Sequence, residues 1–118
     1  MSKPKNCISV EAAKALQKNW NDTRAIDIER AMGSKDVCAV TFNIEQLQEF
    51  INYVKDESAK QGIDNPGIRV YFAAYNDKES NKATVFLNAT ESDAGNAANN
   101  YEIDPWDRHQ GDWPPNAY

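Results

Sequence analysis

The sequence predicts an α+β fold in two layers, with two helical segments packed on one face of a small mixed sheet of three to four strands. Three patterns carry that expectation. An apolar period of 3.6 residues runs through Ile44, Leu47, Ile51 and Val54, with Phe50 alongside. Strict alternation over residues 68–75 puts Ile68, Val70, Phe72 and Ala74 on one side and Arg69, Tyr71, Ala73 and Tyr75 on the other. A second alternating run, 82–89, follows the polar turn 76–81, so the two runs should pair as a hairpin.

Each element has a local reason. Ser9 suits the N-cap of a first helix, since its hydroxyl can take an orphan backbone N–H, and Glu11 then lies in the positive first turn. Val10, Ala13, Leu16 and Trp20 recur at helical steps, and Ile28 with Ala31 or Met32 resumes the stripe beyond a kink point at Asn21-Asp22-Thr23. Gly33 offers the left-handed stop. Residues 37–42, from Val37 through Cys38 and Val40 to Phe42, are short and rich in β-branched and aromatic side chains, which predicts a buried strand. Asn43 followed by Gln46 is a variant capping box opening the second helix, which ends at Gly62. Its other side, from Glu45 and Gln48 to Lys60, is a solvated face. A strand-helix-strand crossover between residues 37 and 75 is expected to be right-handed. Residues 90–100 are small and polar and predict a loop, with a short edge strand at 101–103.

With 118 residues, 41% hydrophobic and 26% charged, the chain has the composition of one globular domain. A chain this long buries roughly two thirds of its unfolded surface, so it needs neither disulfide nor structural metal. The expected organisation is an N-terminal extension over 1–8, a single domain over 9–103, and an aromatic, acidic tail over 104–118 packed on that domain. No window approaches the roughly 20 apolar residues of a membrane span. Residues 1–7 lead into Ile8 without the apolar stretch of a signal peptide, so the cytoplasm is the expected compartment. Cys7 and Cys38 are then expected as reduced thiols, Cys38 as a small core residue.

Thirteen basic and eighteen acidic residues give a net charge of −5. From residue 83 onward Glu91, Asp93, Glu102, Asp104, Asp107 and Asp112 are opposed by Arg108 alone. Such a surface repels phosphate backbones, which argues against nucleic acid as a partner and suits a basic protein or a cation.

The strand Gly67-Ile68-Arg69-Val70-Tyr71-Phe72-Ala73-Ala74-Tyr75, preceded by the capped helix 43–61 and followed by Thr84-Val85-Phe86-Leu87-Asn88, resembles a family of short uncharacterised bacterial proteins of the Bacteroidetes type. In that family a long first helix precedes a GIRVYF-like strand, and the C-terminus is rich in proline and often cysteine. Pro114-Pro115 match, but no cysteine flanks them. The resemblance covers roughly residues 9–89 and implies the same α+β fold; it carries over no site residue.

Chemistry narrows quickly. The five glycines are scattered, so no Gly-rich phosphate cradle exists. His109 is the only histidine, and nothing in the spacing sets it beside a nucleophile. Asp104, Asp107, His109 and Asp112 have the donor types of a zinc, manganese or calcium site. Extended, that segment spans about 26 Å, so the fold must bring the four together, and the spacing fails the calcium-loop pattern.

The sheet is expected to have a second apolar face, built from Tyr71, Tyr75 and Phe86 with Arg69 at its margin. Trp106, Trp113, Pro114, Pro115 and Tyr118 are costly to leave in water, so the tail is expected to fold back over that face with its acids near Arg69. The alternative is an open face that receives a partner. The candidate binding residues are therefore Arg69, Tyr71, Tyr75, Phe86, Trp106 and Trp113. These features point to a small non-catalytic binding module working through the acidic C-terminal region or the tyrosine-rich face, for instance an inhibitor or immunity-type protein docking on a basic partner. The rival reading is a metal-dependent hydrolase with a divalent metal on Asp104, Asp107, His109 and Asp112. A third is a homodimer built by edge-strand pairing. Neither nucleic acid nor membrane is an expected partner.

Overall fold

Ser9 caps the first helix: its hydroxyl accepts the Ala12 N–H at 3.0 Å, and α1 (Val10–Asp22) follows. In the computed structural model, which describes residues 2–107, the helix breaks at Thr23, whose Oγ1 accepts nothing from the backbone below it and instead donates to the Asn19 carbonyl at 2.5 Å. Helix α2 (Arg24–Met32) resumes from there and stops at Gly33, whose φ of 78° is in the left-handed region that glycine adopts without strain. Asn43 caps α3 (Ile44–Lys60), its side chain accepting the Gln46 N–H at 2.9 Å. Strands β1 (Gly67–Ala74) and β2 (Ala83–Thr90) pair antiparallel in the register Gly67↔Thr90 to Ala74↔Ala83. At the turn, Asp77 Oδ1 accepts the N–H groups of Glu79 and Ser80.

The core is small and asymmetric. Phe50 and Val54 of α3 pack on Leu87 and Ala89 of β2 and on Ile103, with Phe42, Leu47 and Trp106 around them. Trp106 lies between two rings, 5.3 Å from the Phe42 centroid and 5.6 Å from that of Phe50. Asn100 ties the layers: its N–H reaches the Ala89 carbonyl at 2.9 Å and its amide reaches Gln61 Oε1 at 2.7 Å, just past the end of α3.

The α+β class holds; among the described residues the sheet has two strands, and the three to four expected are not seen there. Residues 37–42 form no strand apart from a bridge position at Ala39, so among the described residues there is no parallel crossover. Asp36 explains part of this, because its Oδ1 accepts both the Val37 and the Ala83 N–H groups and joins that segment to the start of β2 by a side chain instead of a ladder. Residues 101–103 turn; the bridging residues are Asn99, opposite Thr90, and Trp106, opposite Leu87. Cys38 is half-buried, outside the core cluster, while Cys7 is exposed, and both are free thiols.

Only α3 fulfils the expectation of helices packed on the sheet. Neither α1 nor α2 contains a buried residue, and Val10 and Leu16 of the expected stripe are 52% and 61% exposed. The half-buried side is instead Ala13, Gln17, Trp20, Asn21, Ala25, Ile28 and Met32. The chain exposes 9010 Å², against about 6,500 Å² for a compact monomer of this mass. Among the described residues, exposed large apolar side chains include Val10, Leu16 and Ile26 of the α1–α2 arm, Ile44 of α3, Val70 and Phe72 of β1, and Tyr101.

Candidate interaction surface

The two edges of the hairpin differ. The Tyr75 N–H donates to the Lys82 carbonyl at 3.0 Å, one step beyond Ala74↔Ala83, which fixes the phase of the ladder. Hydrogen-bonded pairs alternate in an antiparallel ladder, so the odd-numbered residues of β1 point their backbone groups at β2, and Ile68, Val70, Phe72 and Ala74 point theirs outward. On β2 several outward groups are met: Asp36 accepts the Ala83 N–H, Leu87 and Trp106 exchange bonds of 2.9 and 2.8 Å, and the Ala89 carbonyl accepts from Asn100. On β1, no described residue meets the outward groups.

The same β1 residues carry an uncovered apolar face. Antiparallel partners share a side of the sheet, so Ile68, Val70 and Phe72 stand beside Ala89, Leu87 and Val85, on the face that α3 covers. The helix lies toward β2 and the 100–106 segment, where Leu87 and Ile103 are buried. Across β1 the exposure rises to 38% at Ile68, 54% at Val70 and 91% at Phe72. Two of the usual protections of an edge are missing from the strand itself: no proline interrupts it, and its single charge is turned away. The Arg69 guanidinium donates to Asn99 Oδ1 at 2.7 Å and to the carbonyls of Ala97 and Gly95 at 2.9 and 3.2 Å.

Of the expected binding residues, Arg69, Tyr71, Tyr75 and Phe86 occupy the opposite face, where among the described residues Asn99 and Asp107 lie over them. Tyr71 stacks on Phe86 with centroids 5.1 Å apart. Asn99 roofs the pair: its amide donates to the Tyr71 hydroxyl at 2.8 Å, while its oxygen takes both Arg69 and Asn88. This hydrogen bond, with Arg69 adding to it, lowers the Tyr71 pKa from its ordinary 10.0. Among the described residues Arg69 meets the polar loop 95–99. Asp107 does reach this side, accepting from the Tyr75 hydroxyl at 2.9 Å and from Thr84 Oγ1 at 3.4 Å. Burial first, and then that carboxylate, raise the Tyr75 pKa. Trp106 belongs to the other face, within the aromatic group of α3. Trp113 lies outside the described residues, as do His109 and Asp112 of the expected metal cluster. Asp104 is exposed, its N–H donating to the Tyr53 hydroxyl, and among the described residues no group of three or more potential metal ligands comes together.

Two open clefts flank these surfaces. One, of about 330 Å³, lies between the α1–α2 arm and residues 35–37, lined by Trp20, Ile26, Ile28 and Val37. The other, of about 420 Å³, is bounded by Gln46, Glu49, Phe50, Trp106 and Asp107. Among the described residues neither is lined by a serine, threonine, cysteine or histidine. No helix among the described residues is long and apolar enough to cross a membrane.

Sequence reasoning missed the residues that stand out here. Ile68, Val70 and Phe72 were assigned to the covered face, because alternation tells which side chains share a side but not how far a helix extends across it. Asn99 gave no signal, since an asparagine in a polar run looks the same whether or not it folds over a ring. No protein-family model, curated protein or solved structure matches the chain.

Proposed function

We propose that the chain is a small non-catalytic interaction module that engages another polypeptide along β1. The observation that carries this is the coincidence, at Ile68, Val70 and Phe72, of outward backbone groups without a described partner and side chains that rise to 91% exposure at Phe72. An added strand would satisfy the first and cover the second, which is the logic of strand addition at a sheet edge. The tyrosine-rich face is the weaker candidate for docking, because Asn99 and Asp107 already occupy its hydroxyls.

A photo-crosslinking side chain at position 72, used in the cells that make the protein, should yield one reproducible polypeptide adduct. The same group at Lys55, on the exposed side of α3, should yield none. Equal labelling from both positions, or none from 72, overturns the reading. Salt separates it from docking through the acidic C-terminal region: association along an apolar, uncharged edge changes little with ionic strength, whereas an acidic patch on a basic protein weakens steeply.

A further inference from the structure

Resting on the reading of β1 as the docking element, we infer that its occupant is a second copy of this chain, pairing β1 with β1 antiparallel about a two-fold axis to make a continuous four-stranded sheet. Self-pairing needs a self-complementary edge, and this one is. Its outward residues, Ile68, Val70, Phe72 and Ala74, are uncharged and apolar, so no like charges are set opposite each other. Arg69, the one charge on the strand, is committed to Asn99 and the 95–99 carbonyls on the far face.

The register follows from the backbone. With Tyr71 on the axis, Val70 lies opposite Phe72 of the second copy and Ile68 opposite its Ala74, and all four outward residues find partners. With Val70 on the axis, Ala74 would oppose Pro66, which has no N–H to give. The first arrangement uses the whole edge. It also sets Val70 and Phe72 of both copies side by side, forming one apolar strip between the two α3 helices.

Pairing would also cover the apolar side chains of this edge, Ile68, Val70 and Phe72, which are 38%, 54% and 91% exposed.

Sedimentation equilibrium at the concentrations of an NMR sample should return twice the 13.3 kDa chain mass. Amide exchange read residue by residue should show Ile68, Val70, Phe72 and Ala74 protected in concentrated protein and unprotected on dilution. Phe72→Lys should weaken association by at least about tenfold. It should leave the circular dichroism unchanged, because Phe72 contributes almost nothing to the monomer core. A dimer that survives Phe72→Lys, or one in which those four amides exchange freely, overturns the inference. A monomer at every concentration also overturns it, and the position-72 crosslink then tells which idea has failed. An adduct with a different protein removes only the self-pairing, whereas no adduct removes the docking element as well.

Discussion

Helix α3 and the α1–α2 arm have the same kind of sequence and opposite fates. Both begin at a side-chain cap, both repeat apolar residues at helical spacing, and both end near a left-handed glycine, Gly62 or Gly33. Yet α3 buries Phe50, Val54 and Ser58, and the arm buries nothing. The difference lies in what each stripe meets. The stripe of α3 faces Leu87, Ala89 and Ile103, and Trp106 closes its side. That of the arm faces the irregular segment 35–40, which is held to the hairpin by Asp36 and by Lys82 bonds to Ser34 and the Lys35 carbonyl. Amphipathic spacing makes burial available to a helix, and only an opposing apolar surface realises it.

Truncating the two stripes should give the largest contrast. Phe50→Ala is expected to cost about 3–5 kcal/mol in denaturant unfolding, since it removes a buried ring stacked on Trp106. Leu16→Ala, at a position 61% exposed, should stay within about 0.5 kcal/mol. Comparable losses at both sites would break the distinction. The caps should divide the same way: Asn43→Ala lowers global stability by about 1 kcal/mol, whereas Ser9→Ala speeds amide exchange at the start of α1 and leaves the global transition nearly unmoved.

Burial can also be excessive. Ser58 is fully buried in α3, and its hydroxyl has no hydrogen-bond partner among the described residues. Ser58→Ala removes an unsatisfied polar group and should raise stability by roughly 1 kcal/mol, seen as a higher denaturant midpoint with an unchanged slope. A loss of that size would mean the hydroxyl is satisfied after all.

The smallest effect probes the arm itself. Burial raises the Cys38 pKa above its ordinary 9.0, with a Gln17 hydrogen bond opposing. The thiol form therefore favours the folded state below pH 9.0, and that preference fades as pH climbs through the raised value. Thiol labelling near neutral pH should modify exposed Cys7 first and Cys38 more slowly. If Cys38 reacts through local opening, its rate will report the arm separating from residues 35–40 at a free energy well below that of global unfolding. Equal rates at the two cysteines would mean the arm gives no protection.

Legibility followed range. Ser9, Asn43, Gly33 and Gly62 could be read directly because a cap or a left-handed stop involves residues within one helical turn. The hairpin could be read because alternation and a polar turn are local as well. The segment 37–42 was misjudged because β-branched composition offers a strand but cannot supply a neighbour, and Asp36 took the contact with β2 through its carboxylate. In the described part of the tail, Asp107 reaches Tyr75, but Trp106, one residue away, turns to Phe42 and Phe50 on the other face. Successive side chains of an extended segment point to opposite sides.

By itself the sequence determined where the helices begin and stop, which side chains share a face of each strand, and that the surface is acidic, since these depend on neighbours along the chain and on composition. The tertiary structure alone decided that α3 lies toward β2 and leaves β1 open, that Asn99 roofs the tyrosine face, and that the arm meets only the irregular segment 35–40 and stays half-buried. Those outcomes depend on which distant surfaces meet, and a one-dimensional pattern holds no record of that competition.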